Sequence, residues 1–237
     1  MLVEQPDAPN QPTKSATPLE RAIYEYQLKA DEFHKKELAS KTATGADKEQ
    51  LLKEWREARV YLDQMRMKID TLAALEDGLA KYRDEFGILD SEERLLAMRS
   101  EKYHPTHVLR NNLIADSDPP PTPKHNPHHI VMGKGRWRKR EMTRVRLKMF
   151  DVGIRINDSK NGVWLHPDKC DHWATPDSPI HNPLHGYNYE TWVIGRLQLT
   201  LSNEEFERNL KGLKSALKTD TWPKKILEPK DANWSGV

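Results

Sequence analysis

The sequence predicts an α+β protein in two parts, a long helical region followed by a smaller domain that mixes short strands and helices. Three observations support this prediction: helical spacing of apolar residues over 19–101, a proline-rich segment at 116–124, and strand and turn signals beyond it. Residues 1–18 contain four prolines and few apolar residues, which predicts a disordered lead-in. The expected limits are therefore 19–115 for a helical hairpin or bundle and 125–237 for the second domain.

The helical region shows apolar residues at steps of three and four. A first run covers 19–38 and ends at a break over 41–47. A second run covers 55–79 and predicts a helix of roughly forty residues, about 60 Å long. Its apolar seam must be buried against the first helix, a third helix or a second copy of the chain. A capping box before 94–101 predicts that third helix, and residues 102–127 are expected to be irregular.

The second domain has weaker and shorter patterns. Residues 130–132 are compatible with a strand, and 162–165 predict a strand after an Asn-Gly turn. An amphipathic helix is expected over 141–150. An Asn-Pro pair, a good N-cap and first position, predicts a helix over 182–199. Another helix is expected over 204–217.

Composition excludes several classes of protein. The chain has 237 residues, with 36% hydrophobic and 31% charged residues. Cys170 is the one cysteine, so a disulfide within the chain and a cysteine-based zinc cluster are both excluded. No run approaches the ~18 apolar residues of a membrane span, and the first residues lack the basic and apolar regions of a secretory signal. We therefore expect a soluble chain made in the cytoplasm, which could leave the cell only by a specialised system.

The net charge of +2 conceals a strong asymmetry. Residues 1–120 carry −5, residues 121–150 carry +8, and residues 151–237 carry −1. Such a concentration of positive charge is typical of a site for a polyanion, while a solvated basic helix face is the alternative interpretation. The candidate phosphate contacts are Lys134, Arg136, Arg138, Lys139, Arg140 and Arg144.

Histidines lie on both sides of this basic segment, and histidine is the commonest metal ligand. His128 and His129 are adjacent, so on an extended chain their side chains point to opposite faces and do different jobs. His181 and His185 are four residues apart, so on one helix they could chelate a single ion. From residue types alone, a metal site and a set of ordinary satisfied histidines are equally good interpretations. The histidines interpreted as ordinary are His34, His104, His107, His166 and His172, while His125 could flank the path of a phosphate chain.

Four short motifs in this stretch resemble one known family. The motifs are Pro-His-His-Ile-Val at 127–131, Gly-Ile-Arg-Ile-Asn at 153–157, Asn-Gly-Val-Trp-Leu at 161–165, and His181-x-x-x-His185 with a tyrosine after it. Together they resemble the AHH family, a branch of the HNH/endonuclease VII nucleases found largely in bacterial polymorphic toxins and type VI secretion effectors. The resemblance covers roughly 125–199.

The resemblance implies a ββα-metal fold that grips one divalent ion, which could be zinc, nickel, magnesium or manganese. It implies that His128 and His185 bind this ion with His181 as a third ligand, and that His129 is the general base. Asn161 would hold the loop and orient His129 through a hydrogen bond.

The function implied is a metal-dependent endonuclease, a toxin delivered into competing bacteria, with DNA as the expected substrate and RNA as the alternative. A cognate immunity protein and a secretion component or adaptor, docked on the N-terminal helices, would be its protein partners; no membrane is expected. The alternative is a non-catalytic nucleic-acid-binding or structural protein in which the metal only stabilises the fold. The N-terminal helices could also form a dimer.

Overall fold

The computed structural model describes residues 11–167 and 173–236. These residues divide into two compact units, one ending at Asp77 and the other starting at Gly78. The predicted linker at 116–124 lies inside the second unit. That residues 116–124 separate two independent domains therefore remains a prediction.

The first unit is a helical hairpin, as predicted. Helix α1 spans Pro18–Thr42, and helix α2 spans Gly45–Asp84 and continues past the end of this unit. The Thr17 hydroxyl accepts a hydrogen bond from the Glu20 amide at 3.2 Å, and the Glu20 carboxylate accepts one from the Thr17 amide at 2.7 Å. This capping box fixes the start of α1 because it satisfies amides that have no partner within the helix. Of the lead-in expected over 1–18, residues 1–10 lie outside the described residues.

The two helices of the hairpin pack through the seam that the spacing predicted. The rings of Phe33 and Trp55 stack at 5.4 Å between centroids. Leu62 and Met65, from the long apolar run, are buried. The seam of α2 is thus covered at least in part by α1 within one chain.

The second unit follows the order α3, α4, β1, α5, β2, α6, α7. Its elements are α3 (Ser91–Ser100), α4 (His107–Ala115), β1 (Asn126–His129), α5 (Lys139–Asp151), β2 (Gly162–Leu165), α6 (Tyr187–Leu197) and α7 (Asn203–Lys218), with short 3-10 turns at Ser159–Asn161, Asn182–Leu184 and Lys224–Leu227. Helices α3, α5 and α7 and strand β2 confirm their predictions to within a few residues. Side chains from α5, α6 and α7 form the main core, which includes Met142, Val145, Met149, Trp192, Val193, Phe206, Leu210 and Leu213.

Helix α4 differs most from the prediction, because residues 102–127 were expected to be irregular. Leu109 and Leu113 of α4 pack with Trp164 of β2 in a small buried cluster. Gly162 permits this contact, since a Cβ atom there would lie 2.7 Å from the Leu109 side chain. Helix α4 therefore packs directly on the back of the sheet.

The sheet contains two antiparallel strands, β1 and β2, with His128 opposite Val163 and His129 opposite Gly162. The strand was expected over 130–132, but β1 ends at His129, so the prediction is wrong by several residues. The paired residues include His128 and His129 themselves. The chain leaves the ladder after His129, where the Asn161 side chain accepts the Val131 amide at 2.8 Å. Within the described residues, no helix is both long and apolar enough to cross a membrane.

Candidate active site

The three predicted metal ligands converge in the second unit. His128 lies on β1, and His181 and His185 flank the 3-10 turn Asn182–Leu184. One ring nitrogen from each residue lies within 4.8 Å of the other two. The Nε2 atoms of His181 and His185 are 3.3 Å apart. This is the arrangement that a shared cation requires.

The route to this convergence differs from the prediction. The helix expected over 182–199 is wrong in its first turn, because the chain forms a separate 3-10 turn and then restarts as α6 at Tyr187. Gly186 is the N-cap between the two, with an extended backbone at φ −91° and ψ 166°. His181 and His185 therefore approach each other across a tight turn rather than along one helix face.

Burial keeps the three imidazoles neutral at neutral pH. Desolvation, with the charges of the neighbouring histidines, holds the pKa of His128 well below its usual value. Burial first, and then His185, lower the pKa of His181 to about 4. Burial also lowers the pKa of His185, helped by the positive charge of Arg136. Neutral imidazole is the form that binds metal.

The donor set fits a divalent transition metal. Among the described residues, the cluster consists of the three imidazoles and includes no carboxylate. Imidazole nitrogen suits zinc, nickel, copper and iron, whereas magnesium is usually held by oxygen. Three protein ligands also leave coordination positions for a water and a substrate.

Tyr189 of α6 determines which nitrogen of His128 is available. The Tyr189 hydroxyl lies 3.0 Å from His128 Nε2 and donates to the Ile130 carbonyl at 3.2 Å. Because that hydroxyl proton is already used, the Tyr189 oxygen accepts the hydrogen on Nε2, and the His128 lone pair lies on Nδ1. Metal-binding histidines commonly donate their other ring N–H to such a partner.

His129, the next residue of β1, is held by a different partner. Its Nε2 lies 3.0 Å from the Oδ1 atom of Asn157. The Asn157 amide nitrogen donates to Glu101 Oε1 and to the Lys102 carbonyl, both at 2.8 Å. This orientation makes Oδ1 an acceptor, so His129 carries its hydrogen on Nε2 and its lone pair on Nδ1. Burial lowers the pKa of His129 to about 4, partly opposed by the Asn157 hydrogen bond.

The prediction that Asn161 hydrogen-bonds to His129 is wrong, because Asn157 makes that contact. Asn161 Oδ1 accepts the Val131 amide at 2.8 Å, and its Nδ2 donates to the carbonyls of Val131 and Ile156 at 3.1 and 2.9 Å. Asn161 thus ties the end of β1 to the loop before β2. Its role in holding the loop agrees with the expectation.

The histidines line a cleft of about 190 Å³. Tyr103, His104 and Lys134 line it as well. His104, interpreted from the sequence as ordinary, has its ring centroid 6.3 Å from that of His129. No periodicity or motif in the sequence marks His104 as part of a site.

Glu190 anchors the basic segment beside the cleft. Its carboxylate is fully buried and accepts the backbone amides of Arg136, Trp137 and Arg138. A carboxylate that accepts several backbone N–H groups is a strong anchor. The loop carrying the basic residues is thereby fixed next to Tyr189.

The six predicted phosphate contacts occupy different positions. Lys134 lines the cleft, and Arg136 is exposed and close enough to act on the pKa of His185. The Arg138 guanidinium pairs with Glu141 at 3.1 Å. The last three are exposed on α5 and do not line the cleft: Lys139, Arg140 and Arg144.

The remaining histidines near the sheet have structural partners. His125 Nδ1 lies 2.9 Å from the Thr122 hydroxyl, and its Nε2 lies 3.0 Å from the Thr175 hydroxyl. His166 is buried, with Nε2 3.4 Å from the Ser178 carbonyl. Cys170 and His172 lie outside the described residues.

Residues 109–220 match the model of a nuclease family of the HNH/ENDO VII superfamily. That family is AHH, described by its conserved AHH. Comparison with curated proteins found no match, and neither did comparison with solved structures. The family match covers both strands and the three clustered histidines.

Proposed function

We propose that this protein is a metal-dependent endonuclease that hydrolyses phosphodiester bonds in DNA, with RNA as a second possible substrate. The observation that carries the proposal is the grouping of His128, His181 and His185 within 4.8 Å, in a cleft that also contains His129. The family match over 109–220 supports nuclease activity independently of this geometry.

His129 is the proposed general base. Its lone pair lies on Nδ1 because Asn157 accepts the hydrogen on Nε2, and its lowered pKa keeps the ring neutral at pH 7. Nδ1 would take a proton from the water that attacks phosphorus, and the bond from phosphorus to the 3′ oxygen would break. Asn157 would hold the imidazole in one orientation during this step.

His128, His181 and His185 would hold the divalent ion. When bound, the ion supplies positive charge that stabilises the phosphate and the leaving oxygen. Tyr189 would keep the His128 ring in place through its hydrogen bond. Lys134 and Arg136 would bind the neighbouring phosphates without reading base sequence.

The proposed biological role is that of an antibacterial toxin, neutralised in the producing cell by an immunity protein. The resemblance to a family found in such toxins supports this role. The first unit, which ends at Asp77, is a compact helical unit that contains none of the clustered histidines, which supports a role in docking or delivery. Expression of wild type and His129→Ala in a bacterial host tests the role: only wild type should stop growth.

A plasmid-nicking assay tests the activity itself. Purified wild type and His129→Ala are each incubated with Mg²⁺, Mn²⁺, Zn²⁺ or Ni²⁺, followed by an RNA substrate under the same conditions. The proposal expects cleavage by wild type with at least one ion and none by the variant. If wild type cleaves neither substrate, while EDTA lowers its melting temperature, the metal is structural and the enzyme proposal fails.

A further inference from the structure

Trp137 is a large aromatic residue at the edge of the candidate site, and its side chain is 51% exposed. Tryptophan is highly buried on average, so this ring exposes more of its surface than most. Trp137 is also adjacent in sequence to Arg136 and Arg138, in the most basic segment of the chain. The exposed indole ring is therefore available to bind a partner.

The ring is held in place although it faces solvent. Its indole Nε1 donates to the His185 carbonyl at 3.3 Å. Its backbone amide lies 3.1 Å from both carboxylate oxygens of the buried Glu190. The indole is thus attached at one end to a proposed metal ligand and at the other to the core. A ring already fixed in this way loses little conformational entropy when it binds a partner.

Positive charge lies near the ring. The Arg136 guanidinium carbon lies 5.6 Å from the Trp137 ring centroid. Lys134 lines the neighbouring cleft. An aromatic face flanked by cations is the combination that binds a nucleobase together with its phosphates.

We propose that Trp137 is a stacking platform for an unpaired nucleobase beside the scissile phosphate, so that the site prefers single-stranded or locally unpaired nucleic acid. The preference arises because bases in a duplex stack on each other and hide their faces, whereas an unpaired base can lie on the indole. This inference rests on the proposed nuclease function and adds the form of substrate that the site selects.

Binding without cleavage tests the proposal. A fluorescein-labelled single-stranded DNA and its duplex are titrated in EDTA with the full chain, comparing wild type, Trp137→Ala and Trp137→Phe. Trp137→Ala should weaken single-strand binding by about tenfold and duplex binding by no more than about twofold, since one stacked base is lost. Trp137→Phe, which keeps an aromatic face but loses the indole N–H, should stay within about threefold of wild type.

The matched control is Trp173→Ala. Trp173 is also exposed but lies outside the basic segment in sequence, so its removal should leave both affinities unchanged. Equal weakening on both substrates by Trp137→Ala overturns the stacking proposal, because the residue would then act only through general affinity. Unchanged binding also overturns it and would leave the ring free for a protein contact.

Intrinsic fluorescence gives a second measurement that does not depend on the alanine variant folding. Single-stranded DNA should quench part of the wild-type tryptophan emission, and Trp137→Phe should lack that part. Absence of such a difference overturns the proposal. The binding result is independent of catalysis. Selective binding of single strands, without cleavage by the protein in the presence of any ion, would refute the nuclease function alone. Cleavage together with unchanged binding by Trp137→Ala would refute stacking alone.

Discussion

Asn157→Ala tests how His129 is oriented. The Asn157 side chain is 1% exposed and makes three hydrogen bonds, to His129 Nε2, Glu101 Oε1 and the Lys102 carbonyl. Alanine removes all three and leaves the Glu101 carboxylate with fewer donors. Substrate groups cannot replace these three hydrogen bonds, because the bonds lie behind the imidazole and away from its Nδ1 atom.

The magnitude follows from these contacts. A neutral hydrogen bond contributes about 1 kcal/mol net, and one to a charged group contributes about 1.5–3 kcal/mol. The variant should therefore lose about 3.5–5 kcal/mol of unfolding free energy. Without the Oδ1 acceptor, both His129 tautomers become populated and the ring can rotate. A misplaced catalytic group costs on the order of 100-fold in rate.

The assay separates the two effects. Urea denaturation gives the stability, and single-turnover cleavage at saturating protein gives the rate of the chemical step. Asn112→Ala is the matched control: Asn112 is buried and donates to the backbone carbonyl of Asn157 at 2.8 Å without touching His129. It should lose about 1–2 kcal/mol of stability but keep its rate within a few-fold. If Asn157→Ala and Asn112→Ala cleave at the same rate, Asn157 does not position the base.

Three further predictions concern the surrounding contacts. Tyr189→Phe removes the partner of His128 Nε2 and should lower metal affinity about 10- to 100-fold, measured by competition with a chelating dye; unchanged affinity would show that the hydroxyl does not support the ligand. Glu190→Gln weakens the anchor of the basic loop and should lower the unfolding free energy by about 2 kcal/mol in urea denaturation, because a buried charged acceptor of three amides is lost; a change under 0.5 kcal/mol would contradict this. The buried Asp158 carboxylate accepts from Arg83 at 3.0 Å and from the Lys160 amide at 2.9 Å. Burial raises its pKa, but the hydrogen bonds and charges of Arg83 and Lys160 together outweigh burial and lower it. Its stabilising contribution is therefore complete above the unfolded pKa of about 3.9 and is lost as pH falls through the lower folded pKa. Asp158→Asn should then be less stable than wild type at pH 7, with the gap narrowing in strong acid; a gap independent of pH would refute this assignment.

Local signals predicted the elements that have strong caps or long periodic runs. In the structure the Thr17 hydroxyl accepts the Glu20 amide at 3.2 Å at the start of α1, and the Ser202 hydroxyl accepts the Glu205 amide at 3.1 Å at the start of α7. Helix α4 was missed because its nine residues give too short a pattern, and because its stability comes from contact with Trp164, which is distant in sequence. The helix over 182–199 was wrong because Gly186 interrupts it one residue before α6.

The site shows the same division between local and non-local information. The clustered histidines were found because histidine is a rare and informative residue type and because two pairs flank a basic segment. Asn157 was missed as the partner of His129: twenty-eight residues separate them, and only the fold shows which asparagine reaches the ring. His104 enters the cleft from a segment without periodicity, so residue type alone could not distinguish it from the other histidines.

The most direct test of the central claim is the metal stoichiometry of the purified chain, measured by elemental analysis after dialysis against the ion that supports cleavage. Wild type and His129→Ala should each hold one ion per chain, with cleavage by wild type only. His128→Ala, His181→Ala and His185→Ala should each lose most of the metal and the activity, while His104→Ala should keep the metal. Equal metal content in wild type and all three ligand variants, or full cleavage by His129→Ala, would contradict the account.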